Sequence, residues 1–194
     1  MIIGITGGTG CGKTTALQAF GELGGVVLDC DAIYHELLKT DKEMLGAIEN
    51  RFPGTVTDGV LDRKKLGRIV FEDSAALLEL NGITHSAVKT EILRRIEGEA
   101  RHIAIDAIGL FEGKLAELCD VTVAVTAPEE SRVARLMARE GISEAYAQAR
   151  INAQRTQKEF ENLCDHVLCN DDTRQEFHKK CLAFFKGLGI IEMP

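Results

Sequence analysis

Gly7-Gly8-Thr9-Gly10-Cys11-Gly12-Lys13-Thr14, with Thr15 behind it, follows directly on the apolar run 1–5. Gly, four residues, then Gly-Lys-Thr, set between a strand and a helix, is the pattern of a phosphate-binding loop. Consecutive backbone N–H groups wrap a polyphosphate, and glycines let the chain curl closely enough to do so. The helix beginning near Lys13 adds the positive end of its dipole. In this reading residues 7–15 hold ATP, Lys13 reaches the β- and γ-phosphates, and the Thr14 hydroxyl ligates Mg²⁺.

Working outward, short apolar runs at 2–6, 26–29, 102–105, 121–125 and 167–169 alternate with helical patterns. That alternation predicts an α/β fold with a parallel sheet of about five strands and helices on both faces. Val121-Thr122-Val123-Ala124-Val125 suits a strand buried on both sides. Polar residues at the strand ends, Asp29, Asp31, Asp106 and Asn170, fall where open α/β sheets bind ligands. Residues 32–101 carry at least three helical patterns and no convincing strand, more chain than a crossover needs. They read as an inserted helical lobe, a second wall for an acceptor. Pro53-Gly54 and Asp58-Gly59 are turn signals within it. The expectation is one domain over 1–194, with core segments 1–31, 102–131 and 159–194, the insertion 32–101, and a lid over 132–158.

Composition bounds the function. The chain has 194 residues, 45% of them hydrophobic, enough for a core. A net charge of −7 and the absence of Trp argue against a nucleic-acid surface. No apolar run reaches membrane-spanning length, and residues 1–4 lack the features of a leader. The six cysteines form no C-x-x-C pair and no zinc spacing, so reduced thiols and a cytoplasmic setting are expected. No obligate protein partner is evident.

Against that acidic background, residues 132–158 hold six basic and two acidic side chains. Pro128 with Glu129 and Glu130 starts a helix, Arg132, Arg135 and Arg139 share one of its faces, and Gly141 ends it. Ser143 with Glu144 opens a second helix, which carries Arg150. Beside a phosphate loop such a stripe is an Arg-rich lid, stabilising charge on a transferring phosphoryl group. Asp29 and Asp31 end the second strand. A carboxylate there orients an acceptor hydroxyl, and for Asp31 the competing role is a helix N-cap. Asp106, ending the third strand, supports Mg²⁺ directly or through water. Glu112 reads as a helix-start residue, and His85, in Ile83-Thr84-His85, as structural. Cys11 is expected to be exposed, with the loop amides favouring its thiolate. Asn170-Asp171-Asp172 caps the last helix or walls the adenine pocket.

Taken together these segments resemble the dephospho-CoA kinase family nearly end to end. The matching stretches are 4–14, Asp29-Cys30-Asp31-Ala32-Ile33, Leu61-Asp62-Arg63-Lys64-Lys65-Leu66 with Ile69-Val70-Phe71, and Ile83-Thr84-His85. Asp106 to Glu112, the lid residues Arg132, Arg135, Arg139, Arg150 and Gln154, and 165–170 complete the set. Cys11 stands where Ser is usual, Ser86 where Pro is usual, and Ile108-Gly109 in place of Pro-Leu. The resemblance implies a P-loop nucleoside-triphosphate-hydrolase-like fold and transfer of the ATP γ-phosphate to the ribose 3′-hydroxyl of 3′-dephospho-CoA. It further implies Asp31, Lys13 and Arg139 as catalytic groups, Arg135 and Asn170 at ATP, and Arg63, His85, Lys89 and Asp106 with Asp31 at the acceptor. A kinase for another small acceptor, such as a nucleoside monophosphate, shares loop, lobe and lid. A regulatory GTPase would need Asn-Lys-x-Asp, and no Asn here precedes a Lys.

Overall fold

The computed structural model describes residues 1–190; the last four residues of the expected core segment 159–194 lie outside the described residues. Five strands form one sheet: β1 (Ile2–Thr6), β2 (Val26–Asp29), β5 (Ile103–Asp106), β6 (Val121–Thr126) and β7 (His166–Cys169). Their order is β2-β5-β1-β6-β7. β1 pairs in parallel with both β5 and β6, and β6 with β7. Each strand lies within one residue of its expected position. The parallel pairing explains the unbroken apolar character of β6, whose residues from Thr122 on are all buried.

The chain divides into two compact units, Met1–Leu28 with the chain from Ala100 on, and Asp29–Glu99. In the first, α1 (Lys13–Glu22) packs against α9 (Arg174–Gly187), with Phe20 and Phe185 edge-to-face at 5.3 Å. Ile3, Ile5, Ala104, Val123, Val125 and Leu168 join them in one buried cluster. The strand ends are tied by side chains as well. Asp165 Oδ2 accepts from both the N–H and the hydroxyl of Thr122, so the start of β7 is held to the start of β6.

The first unit also contains α6 (Glu129–Glu140), α7 (Glu144–Asn152) and α8 (Gln157–Leu163). Gly141, at φ 66°, ends α6 in the left-handed conformation open to glycine, and the Ser143 hydroxyl caps α7. Val133, Leu136, Ala147 and Ile151, with Ile142 against them, form a small core separate from the main one. The amphipathic spacing of α6 and α7 thus buries one hairpin seam.

In the second unit α5 (Ser74–Ile96) is the spine against which α2 (Cys30–Thr40), α3 (Lys42–Arg51) and α4 (Arg63–Glu72) pack. Aspartates start all four helices: Asp29, Asp41, Asp62 and Asp73 each accept backbone N–H groups of the first turn. The expectation of no strand in this stretch is corrected. β3 (Val56–Thr57) and β4 (Val60–Leu61) form an antiparallel hairpin about Asp58-Gly59, both at positive φ. Two residues a side are too few to leave an alternating pattern, so only the turn was visible in the sequence.

Candidate active site

β1 delivers the chain into the glycine-rich loop, and the loop's backbone explains its composition. Gly7, Gly10 and Gly12 sit at φ 141°, 78° and 104°, where a side chain is strained. Gly12 is also the N-cap of α1, so Lys13 and Thr14 open the helix. Gly8 has ordinary φ, but a Cβ there would lie 2.3 Å from Arg132 Nη2. Lys13 Nζ donates across the loop to the Gly7 carbonyl at 3.2 Å.

A ring of side chains holds the loop from outside. Arg132, 5% exposed, donates from Nε to the Thr9 carbonyl at 2.9 Å. Arg135 Nη1 reaches the Gly10 and Cys11 carbonyls, and its Nη2 the Asn170 carbonyl. Asn170 Nδ2 donates to the Cys11 carbonyl at 2.8 Å, while its own N–H donates to Thr126. Gln154 Oε1 accepts from the Thr9 N–H at 2.7 Å. Hence Arg132 and Arg135, read as lid arginines from their spacing, are engaged with loop carbonyls. Asn170 thus braces the loop, and of the two roles read for it the cap of α9 falls to Thr173. Gln154 was visible in the sequence only through resemblance, because one amide after a helix end has no pattern of its own.

Arg139 and Arg150 lie further along the hairpin, both paired with Glu140. Arg155 pairs with Glu112 at 2.6 Å. Glu112 therefore starts no helix: it lies in the turns after β5 and receives the chain leaving α7.

The expectation for Cys11 is overturned. Its side chain is 2% exposed and lies in the main core. Burial raises the thiol pKa, outweighing the lowering effect of Lys13 and Arg132. All six cysteines are free thiols; burial lifts Cys119 and Cys181 to about 12 and Cys164 to about 11.

Asp106 ends β5 in register with Ile5, two residues before the loop, and is half-buried. The exposed Thr14 opens α1 from the same loop. One carboxylate and one hydroxyl are hard oxygen donors of the kind that suit a divalent ion retaining phosphate and water ligands. No group of three or more His, Cys, Asp or Glu able to cage a metal occurs among the described residues.

In the other unit the two roles weighed for Asp31 separate. Asp29 Oδ1 accepts from the N–H groups of Asp31 and Ala32, so Asp29 is the cap and the Asp31 carboxylate is exposed. Tyr34, one turn on, is half-buried. Burial raises its pKa, and the positive charge of Arg63 acts against that rise. Arg63 opens α4, and His85 and Lys89, four residues apart on α5, are half-buried. No described helix is long and apolar enough to cross a membrane.

A glycine loop between a central parallel strand and a helix, with lysine and threonine at its exit, is the phosphate cradle of a P-loop nucleotide-binding protein. The dephospho-CoA kinase family model matches residues 1–176. A dephospho-CoA kinase of Bacillus thuringiensis subsp. konkukian is 36% identical, with 99% of each chain covered. Among solved structures, a Thermus thermophilus protein superposes at TM-score 0.79 with 33% identity over 97% of both chains. A Campylobacter jejuni dephospho-CoA kinase does so at 0.68 with 25% identity over 96% of both. The chain belongs to the dephospho-CoA kinase family, enzymes that move phosphate to a hydroxyl group.

Proposed function

We propose that this chain transfers the γ-phosphate of ATP to the ribose 3′-hydroxyl of 3′-dephospho-CoA, releasing CoA and ADP. The observation that carries the reading is the braced loop itself: three left-handed glycines and a lysine at a helix start, in a chain matched end to end by relatives of that activity. Loop amides and Lys13 hold the β- and γ-phosphates, residues 7–15 forming the cradle. Thr14, and Asp106 directly or through water, would hold Mg²⁺, which would supply positive charge against the phosphates.

Asp31 accepts the hydroxyl proton and orients the oxygen for in-line attack, the task for which an uncommitted carboxylate is suited. Arg63, His85 and Lys89 gather the acceptor. Arg139 stabilises charge on the moving phosphoryl group. Its ion pair with Glu140 is exposed on the arginine side, where such pairs contribute little, so it exchanges partner readily. Arg135 and Asn170 serve ATP through the loop they brace. Free thiols throughout fit a cytoplasmic setting.

The test is ADP release from MgATP across dephospho-CoA, nucleoside monophosphates and sugars, with the product identified by phosphorus NMR. Turnover confined to dephospho-CoA and abolished by chelation is expected. Faster phosphorylation of a nucleoside monophosphate refutes the assignment.

A further inference from the structure

Two hydrogen bonds converge on Thr9 from opposite ends of one hairpin. Arg132, in the first turn of α6, donates to its carbonyl; Gln154, two residues past α7, accepts from its N–H. These groups belong to two successive peptide planes, Gly8–Thr9 and Thr9–Gly10. Each plane is flanked by glycine, which resists rotation least. Without outside contacts both would turn easily, and the donor array of a phosphate loop is an array of peptide planes.

The two clamps differ. On the Arg132 side the loop is packed tightly: a Cβ on Gly10 would lie 2.9 Å from the Arg132 carbonyl oxygen. On the Gln154 side the Arg132 guanidinium also packs against Gly8, but the hydrogen bond to the Thr9 N–H comes from one neutral amide oxygen of a half-buried side chain, with Arg155 tied to Glu112 beside it. The α6–α7 hairpin between them has its own small core. It therefore acts as one body, and displacement of its far end is delivered to the Gly8–Thr9 plane through Gln154.

We infer that Gln154 is a positioning residue for the nucleotide: it sets the Gly8–Thr9 peptide plane and links the hairpin bearing Arg139 to the phosphate loop. The inference rests on the reading that this loop holds ATP. An amide suits the position, because it offers an acceptor oxygen without placing a negative charge beside polyphosphate. Arg132 Nη2, buried and without a hydrogen-bond partner, lies on the same side of Gly8 as Gln154 Oε1. It would offset a charge introduced there.

The experiment compares wild type, Gln154→Leu and Gln154→Glu by calorimetric titration with MgATP, alongside melting temperature and turnover with dephospho-CoA. Leucine keeps the bulk and removes the acceptor; glutamate keeps the acceptor. Gln154→Leu should weaken MgATP about threefold to tenfold, the range for one neutral hydrogen bond. Gln154→Glu should fall between it and wild type. MgATP affinity unchanged in Gln154→Leu, or a glutamate variant no better than leucine, overturns the inference, as does a loss appearing only as a lower melting temperature. Nucleotide affinity is read without acceptor, so failure of wild type to use dephospho-CoA would count against the proposed reaction alone.

Discussion

Asn170→Ala removes the donor that the Cys11 carbonyl accepts at 2.8 Å, from a side chain 5% exposed. What remains for that carbonyl is Arg135 Nη1 at 3.4 Å, close to the limit of a useful hydrogen bond. Stripping a buried acceptor of its main donor costs about 1–3 kcal/mol. Taking ~2 kcal/mol, a chain of this length should melt about 4–8 °C lower. The loop carries the loss directly, because a Cβ on Gly12 would lie 2.2 Å from Asn170 Nδ2: the carboxamide rests on the loop backbone. If half of that energy reappears as reordering of the loop when nucleotide binds, MgATP affinity falls about fivefold. Asn170→Asp keeps the volume but replaces the donor by a carboxylate oxygen facing the same carbonyl, so it should lose at least as much. Scanning calorimetry and titration calorimetry read both quantities. A melting temperature within 1 °C of wild type (roughly 0.3–0.5 kcal/mol at this chain length) together with unchanged MgATP affinity would refute the bracing role. A mild Asp variant beside a damaged Ala variant would assign the effect to packing instead.

Asp31→Asn keeps the size of the group and removes its basicity; kcat should fall ~10² or more with MgATP affinity unchanged, and collapse of ATP binding instead would move Asp31 to the metal site. With Cys11 buried and its thiol pKa raised, alkylating reagents near neutral pH should leave activity intact for as long as the fold is intact. Rapid inactivation that Cys11→Ser prevents and MgATP slows would show the loop opening far more than this packing allows. Hydrogen bonds from Arg94 and then Arg95 lower Glu91 to about 2. A depressed carboxylate contributes stability above its unfolded value near 4.5 and loses it as pH falls towards 2. Glu91→Gln should therefore destabilise at pH 7 and flatten the acid limb between those values; parallel pH-stability curves for both proteins would exclude the contribution.

The sheet was legible because parallel strands buried on both faces leave continuous apolar runs, and the loop because its glycines are demanded by backbone conformation. Gly141 and Ser143 likewise marked helix ends that the structure has, since capping is local chemistry. What escaped is what depends on distant partners. Arg132, Arg135 and Arg139 look alike in sequence, yet different loop carbonyls claim the first two and Glu140 the third. Cys11 was misjudged because nothing local in the loop sequence shows that its side chain packs into the main core. The cap role weighed for Asp31 falls to Asp29, because α2 starts at Cys30. The β3–β4 hairpin is shorter than the period by which strands are recognised.

The strand order has a consequence for synthesis. β1 lies at the middle of the sheet, but its partners come about a hundred residues later: Ile2 waits for Ile103, and Ile3 for Val121. At roughly 5–20 residues per second a ribosome needs about 5–20 s to supply them. Throughout that interval the most hydrophobic strand and the glycine loop behind it have no ladder to join, while Asp29–Glu99 emerges between them. Sheet closure therefore waits on contacts of long sequence separation, and released nascent chains ending before β6 should be more protease-sensitive than those ending beyond β7.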